Sequence, residues 1–203
     1  RENCIIVSAG ANALLDEAYI KSVTADFACG DICMLQNETP CTDYIIKQAK
    51  SRGMTVIWNP SPMNEKITES AIKMSDYIII NKTEGKVLTG KEEPKDILKV
   101  LLKKYPHTKI VITLGKNGSI YSDGIDTVKQ SAFKAEPVDT TGAGDTYCGC
   151  VLAYVLDHGI ENLSEDQLAE MITFASAAAR LVTTRRGAIR SMPSRHEVEE
   201  QLK

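Results

Sequence analysis

Tyr77-Ile78-Ile79-Ile80-Asn81-Lys82-Thr83-Glu84 is the stretch that decides the architecture. Its first four residues are apolar without alternation, as in a strand covered on both faces. Asn81 comes next, with Glu84 three residues on, the pattern of a helix N-terminus. A strand running straight into a helix is the unit from which parallel sheets are built.

The same apolar pattern recurs at 4–7, Ile32–Leu35, Thr55–Trp58 and 110–113. Helical patterns separate these runs. Thr39-Pro40 reads as a cap with a first-turn proline; Ile45 and Ala49 share a face, and Gly53 closes that helix. Pro94 opens another, in which Ile97, Leu98, Leu101 and Leu102 form one stripe. Beyond Thr113, Gly115 and Gly118 flank a turn, and Ser119–Ser122 with Thr127–Gln130 predicts a hairpin that makes the sheet mixed at that edge. Helices are expected over 144–157, ending at Gly159, over 164–182 and over about 194–202.

Composition limits the partners. With 203 residues, 43% of them hydrophobic, the chain is long enough for one α/β domain spanning 1–203. A net charge of −3 with no dominant basic run gives no support for nucleic-acid binding. No apolar run reaches the length of a membrane span and Arg1-Glu2-Asn3 does not open a signal peptide, so no membrane contact and a cytoplasmic location are expected. The six cysteines lack zinc-site spacing and are read as reduced thiols.

The chemistry is concentrated in Asp139-Thr140-Thr141-Gly142-Ala143-Gly144-Asp145, which runs at once into an apolar helical pattern. Glycines allow close backbone approach to a ligand, and free N–H groups at a helix start favour an anion, which predicts a phosphate site. A carboxylate beside such amides repels phosphate unless it has another task, and the task that fits Asp145 is accepting a proton from an attacking hydroxyl. There is no Gly-x-Gly-x-x-Gly after the first strand and no Gly-Lys-Ser/Thr, so neither a nicotinamide-binding Rossmann unit nor a Walker loop is indicated.

The heptapeptide, with Thr146 and Tyr147 after it, resembles the second signature of the ribokinase-like (phosphofructokinase B-type) carbohydrate kinases. That resemblance implies a Rossmann-type three-layer α/β sandwich with a mostly parallel central sheet and helices on both faces. It implies that Asp145 is the catalytic base, also touching the substrate, with Gly142, Ala143 and Gly144 as anion hole. Asn81 and Glu84 look like the Asn-x-x-Glu motif that positions Mg²⁺, through water, and the phosphates of ATP, although by residue type alone they also make a helix cap. Thr113, Leu114, Gly115, Lys116, Asn117 and Gly118 are similar to the family's nucleotide loop, and by type alone they also make a hairpin turn. Gln36-Asn37-Glu38-Thr39-Pro40 resembles the segment whose Glu, here Glu38, sits near the sugar; a lone Glu before a helix is otherwise a solvated charge.

Arg185-Arg186-Gly187-Ala188 and Ser191-Met192-Pro193 resemble a loop that binds a monovalent cation, usually K⁺. Its ligands would be Asp139, Thr141, the carbonyls of Val182, Arg185 and Gly187, and Ser191. Arg185, Arg186, Arg190 and Arg195 read by charge alone as a basic face. The family places an Asn on the adenine side where this chain has Ser176. Its Gly-Gly signature, early sugar-binding Asp and Asn, and lid strands precede a segment like Glu2-Asn3-Cys4-Ile5, so the resemblance implies that the lid part is absent here. The implied function is ATP-dependent phosphorylation of the 5-hydroxyl of ribose. A truncated nucleotide-binding module without activity, and a kinase for fructose or for a nucleoside such as adenosine, stay open. A homodimer is expected only if the lid is present.

Overall fold

The computed structural model describes residues 8–64, 67–161 and 163–203. The strand expected over 4–7 lies outside them. After a 3-10 turn over Gly10–Leu14, the chain runs α1 (Glu17–Thr24), β1 (Ile32–Leu35), α2 (Thr42–Ser51), β2 (Thr55–Trp58), α3 (Glu69–Met74), β3 (Tyr77–Asn81), α4 (Lys82–Thr89) and α5 (Pro94–Lys104). It continues through β4 (Lys109–Thr113), β5 (Ser119–Ser122), β6 (Thr127–Gln130), α6 (Ala143–His158), α7 (Glu165–Thr183) and α8 (Arg195–Gln201).

The six strands form one sheet in the order β1-β2-β3-β4-β5-β6. β1 to β4 are parallel, β5 pairs antiparallel with β4 and β6 antiparallel with β5, so the sheet is mixed at that edge as the hairpin pattern predicts. Because side chains alternate across a strand, the unbroken apolar runs supply two cores at once. Ile78, Ile80, Ile110 and Ile112 pack against Ile46 and Ala49 of α2, Ala71 and Ile72 of α3, and Ile97 and Leu101 of α5. Tyr77, Ile79, Val111 and Tyr121 face the other way, onto Val151 and Val155 of α6 and Met171 and Ile172 of α7. Each such side chain contributes about 1.5–3 kcal/mol by leaving water, enough for the two layers to hold the sheet between them. β1 is different: all four of its residues are only half-buried.

Several expectations shift. α2 starts at Thr42 and not at Pro40, because Asn37 is anchored by its N–H to the Ser61 carbonyl and by its amide to the Pro62 carbonyl, which holds 37–41 as a separate turn. The turn leaves Cys41 in the left-handed region at φ 63°. The buried face of α2 carries Ile46 and Ala49, while Ile45 turns to an open cavity. α1 and α3 have no counterpart in the sequence pattern; they are short helices capped by Asp16 and Thr68, whose side chains accept the N–H groups of Tyr19 and Ala71. The helices expected over 164–182 and 194–202 are present, with reciprocal capping boxes at Ser164/Gln167 and Ser194/Glu197. Cys29, Cys33, Cys41, Cys148 and Cys150 are free thiols. Among the described residues no helix is long and apolar enough to cross a membrane.

Candidate active site

The parallel strands all end on one side of the sheet, at Gln36, Asn59, Asn81 and Thr113, the edge where open α/β sheets gather ligands. The head of α6 arrives at this edge. Gly142 takes a left-handed φ of 78° to start the helix, and its added Cβ would meet Ala188 Cα at 3.3 Å, so only glycine fits the turn. The Gly142 carbonyl accepts the Thr146 N–H at 2.9 Å, closing the first helical turn. The N–H groups of Gly144 and Asp145 have no acceptor among the described residues, and Gly144 and Asp145 are exposed. A sixteen-residue helix thus presents unclaimed amides and its positive dipole end to solvent.

Two cavities flank this helix head. One of about 480 Å³ is lined by Gly144, Ala143, Thr113, Lys116, Ser176 and Arg180, among others. Gly115 and Gly118 also line it, whereas Leu114 packs into the core and Asn117 is not among the lining residues. Its charged lining residues are Lys116, Lys134 and Arg180, all cationic, and much of the remaining wall is apolar, including Phe133 and Pro137. That combination suits a nucleotide: an apolar slot for a base and cations for phosphates. At one wall a hydroxyl chain joins Tyr147, which donates to Ser119 Oγ at 2.8 Å, and Ser176, whose Oγ lies 3.3 Å from that of Ser119. Burial pushes the Tyr147 phenol well above its ordinary range, so it remains a donor.

The second cavity, of about 590 Å³, is lined by Asp145, Gln36, Glu38, Thr39 and Cys148, with Asn12 and Leu15 at another side. Asp145 therefore belongs to one cavity while Gly144, its neighbour, belongs to the other. Gln36 donates to Asp145 Oδ1 at 2.9 Å.

Asn81 and Glu84 form a capping box at the head of α4: Asn81 Oδ1 accepts the Glu84 N–H at 2.9 Å, and Glu84 Oε2 accepts the Asn81 N–H at 2.8 Å. Register places Asn81 beside Thr113, where the turn over Gly115–Asn117 begins. Glu84 is only 6% exposed and has no cationic partner among the described residues. Burial first, then the negative fields of Asp145 and Glu84, push the Cys148 thiol up to about 12. The two carboxylates therefore act on one neighbourhood, and carboxylate oxygens are the ligand type that a hard divalent cation takes.

The loop leading into α6 is pinned to the far end of α7. Val138 and Asp139 both donate N–H groups to the Thr183 carbonyl, at 2.8 and 3.2 Å. Asp139 Oδ1 accepts the N–H and hydroxyl of Thr141, and Oδ2 accepts the Gly187 N–H. These donors hold its carboxyl down at about 2. Ser191 is fully buried and donates to the Ala188 carbonyl at 2.6 Å. The Val182 carbonyl accepts the Arg185 N–H at 3.1 Å, and the Arg185 side chain pairs with Glu197 at 2.5 Å. Arg195 pairs with Asp157 at 3.0 Å, so these two arginines belong to ion pairs and not to a bare basic face. The structure thus ties Asp139, Thr141 and Gly187 into one cluster before the free amides of α6, while Ser191 bonds within the second loop, to Ala188.

Sequence reasoning missed the cavity walls supplied by 132–137, a segment without periodicity, and the link from Gln36 to Asp145, which joins residues 109 apart in the chain.

The comparisons with known proteins show the family and the fold. The family model described as pfkB family carbohydrate kinase matches residues 1–195. The ribokinase of Lactococcus lactis is 36% identical over 204 residues, covering all of this chain and 64% of that protein. That of Haemophilus influenzae is 32% identical, covering 99% of this chain and 65% of that protein. Among solved structures, the ribokinase of Thermotoga maritima superposes with a TM-score of 0.83 at 29% identity, over 99% of this chain and 65% of that one. The Arabidopsis thaliana ribokinase complexed with ribose and ATP does so at 0.79 and 29%, over 100% and 65%. The chain spans a little under two thirds of the length of these relatives. With the match running over residues 1–195, the chain belongs to the pfkB family of carbohydrate kinases.

Proposed function

We propose that this chain is the nucleotide-binding and phosphoryl-transfer part of an ATP-dependent carbohydrate kinase, with ribose as the acceptor and its 5-hydroxyl as the nucleophile. The observation that carries the reading is the position of the α6 head between two cavities. Free Gly144 and Asp145 amides sit there beside a cation-lined slot, and the Asp145 carboxylate sits on the other side.

In this reading ATP occupies the cavity of about 480 Å³, with its phosphates towards Lys116 and the anion hole expected at Gly142, Ala143 and Gly144; of these, Ala143 and Gly144 line the cavity, the Gly144 amide is free, and the Ala143 N–H is already given to the Thr140 carbonyl at 3.3 Å. The sugar enters the 590 Å³ cavity beside Glu38. Asp145 takes the proton of the attacking hydroxyl, and the amides stabilise charge that grows on the transferring phosphoryl oxygens. Glu84 and Asn81 would hold Mg²⁺ through water, and the ion would neutralise phosphate charge. Asp139, Thr141, Ser191 and the carbonyls of Val182, Arg185 and Gly187 would hold K⁺, which would fix the loop carrying the amides. Ribose is supported by the two ribokinase relatives and by the Arabidopsis thaliana structure complexed with ribose and ATP. Such a reaction belongs in the cytoplasm, where ATP and free sugar meet.

The half-buried state of β1 favours a second reading, in which this polypeptide alone binds nucleotide without transferring phosphate. An acceptor cavity bordered by that strand admits water, and transfer needs the water excluded. ATP titration beside an ADP-release assay with ribose, fructose and adenosine separates the readings. Ribose-dependent release at the highest kcat/KM supports the proposal. Binding without release for any acceptor supports the module, and preference for fructose or adenosine replaces ribose.

A further inference from the structure

At the ends of three adjacent strands, Gln36, Asn59 and Ile79 stand in one row. Leu35 pairs with Trp58 and Trp58 with Ile78, so these are the next residues along each strand. Asn59 Nδ2 donates to the Ile79 carbonyl at 2.7 Å, which turns its Oδ1 back towards β1. Gln36 Nε2 then donates to Asn59 Oδ1 at 2.8 Å and to Asp145 Oδ1 at 2.9 Å. Both N–H bonds of the Gln36 amide are engaged, one by the sheet and one by the carboxylate.

We infer that Gln36, oriented by Asn59, is the positioning residue that holds Asp145 in register for proton transfer and leaves Oδ2 as the oxygen that receives the proton. The inference rests on the phosphotransfer reading and deepens it. A carboxylate torsion is broad and nearly two-fold, so an exposed Asp at a helix head samples orientations freely unless something grips one oxygen. An amide N–H can grip but cannot take up a proton, which reserves Oδ1 for anchoring. In the transfer step the acceptor O–H bond breaks with its proton passing to Oδ2. The acceptor oxygen bonds to the γ-phosphorus, and the bond from that phosphorus to the ADP oxygen breaks. Nothing in this balance requires Gln36 to change state, so its contribution is orientation alone.

The grip comes from the sheet, not from the helix that carries Asp145. It therefore ties the base to the strand row that borders the acceptor cavity, of which Gln36 is itself a lining residue. An acceptor seated against that row and the base that serves it share one rigid frame.

The test uses the full-length protein. Gln36→Leu is expected to lower kcat about 10- to 100-fold, the worth of a hydrogen bond to a charged group, with the KM for ATP within about twofold of wild type. Asn59→Leu should lower kcat less, and should add nothing when combined with Gln36→Leu, because the two act through one linkage. In a readout that does not depend on activity, Asp145→Asn should shift the Gln36 side-chain amide resonances in a ¹H–¹⁵N spectrum. Wild-type kcat in Gln36→Leu, a loss confined to KM, multiplying losses in the double variant, or amide resonances indifferent to Asp145→Asn each overturn the inference. A wild-type protein that transfers no phosphate to any acceptor overturns the parent reading, an outcome distinct from an active enzyme with an indifferent Gln36.

Discussion

The Asp139 carboxylate ties Thr141 to Gly187, accepting the N–H of Thr141 at 3.0 Å on one oxygen and that of Gly187, 48 residues away from Asp139, at 3.0 Å on the other. The loop that enters α6 and the loop that leaves α7 are therefore one unit, and the free amides of Gly144 and Asp145 are aimed by both.

This tie predicts an acid transition. The Asp139 carboxyl is held down from its ordinary 3.8 to about 2, first by the Thr141 N–H, then by the Thr141 hydroxyl and the Gly187 N–H. A depressed folded value means that the stabilisation is complete above about pH 4 and is lost as the pH falls towards 2. Glu197, held at about 2 by the Ser194 N–H and by Arg185, acts in the same window and the same direction. Thermal melts of wild type and Asp139→Asn should differ at pH 6 and converge towards pH 2. Equal melting temperatures at pH 6 would remove Asp139 from the anchoring role.

Glu84→Gln separates a cap from a metal site. The amide oxygen of glutamine can still accept the Asn81 N–H, so the capping box survives and stability should change by less than about 1 kcal/mol. The charge is gone, so the Mg²⁺ concentration for half-maximal activity should rise about tenfold or more, as expected when a carboxylate supporting bound metal is removed. Calorimetry and a magnesium titration at fixed ATP check the two halves. An unchanged magnesium dependence leaves Glu84 a cap only.

Much of the fold was legible because its signals are local. Unbroken apolar runs such as Tyr77 to Ile80 mark doubly covered strands, and the stripe of Ile97, Leu98, Leu101 and Leu102 after Pro94 marks a helix. The heptapeptide ending in Asp145 was legible for the same reason: glycine geometry, free amides and the acid lie next to one another. What escaped is non-local. No periodicity joins Gln36 to Asn59 and Asp145, and the aperiodic 132–137 wall gains its shape only from packing. The start of α2 escaped because the anchor of Asn37 at Ser61 and Pro62 comes from the connection after β2, not from Pro40.

Two glycine positions lining the cavity of about 480 Å³ should respond in opposite ways. A Cβ on Gly118 would lie 1.9 Å from the Gln130 carbonyl, at a φ of 95°, so Gly118→Ala must push β6 away. Strain at such a φ alone costs about 1–3 kcal/mol, and the overlap adds to it. Gly144 has open space around it and helical backbone, so Gly144→Ala should raise helix stability by up to about 1 kcal/mol. Yet its methyl would stand beside the free Gly144 amide at the cavity proposed for ATP, and ATP affinity should fall. A stabler protein with weaker ATP binding is the expected pairing for Gly144→Ala, read by melting and by titration. Unchanged affinity would place the phosphates elsewhere.

Asp145→Asn tests the chemistry most directly. Asparagine keeps the size of the side chain, and its Oδ1 can still accept from Gln36, so the helix head and the sheet row should stay in place. It cannot accept the acceptor's proton, and general-base removal lowers kcat by about 10²- to 10⁴-fold. The charge change pulls ATP binding the other way. On the proposed placement of ATP, a carboxylate beside the free amides repels the γ-phosphate, so its loss should leave the Kd for ATP unchanged or tighten it. The expected signature is therefore a large fall in turnover without weakened nucleotide binding, measured by single-turnover ADP release and by calorimetric titration. Lost ATP affinity with preserved turnover would make Asp145 a binding residue and send the search for the base to Glu38, the other acid lining the acceptor cavity.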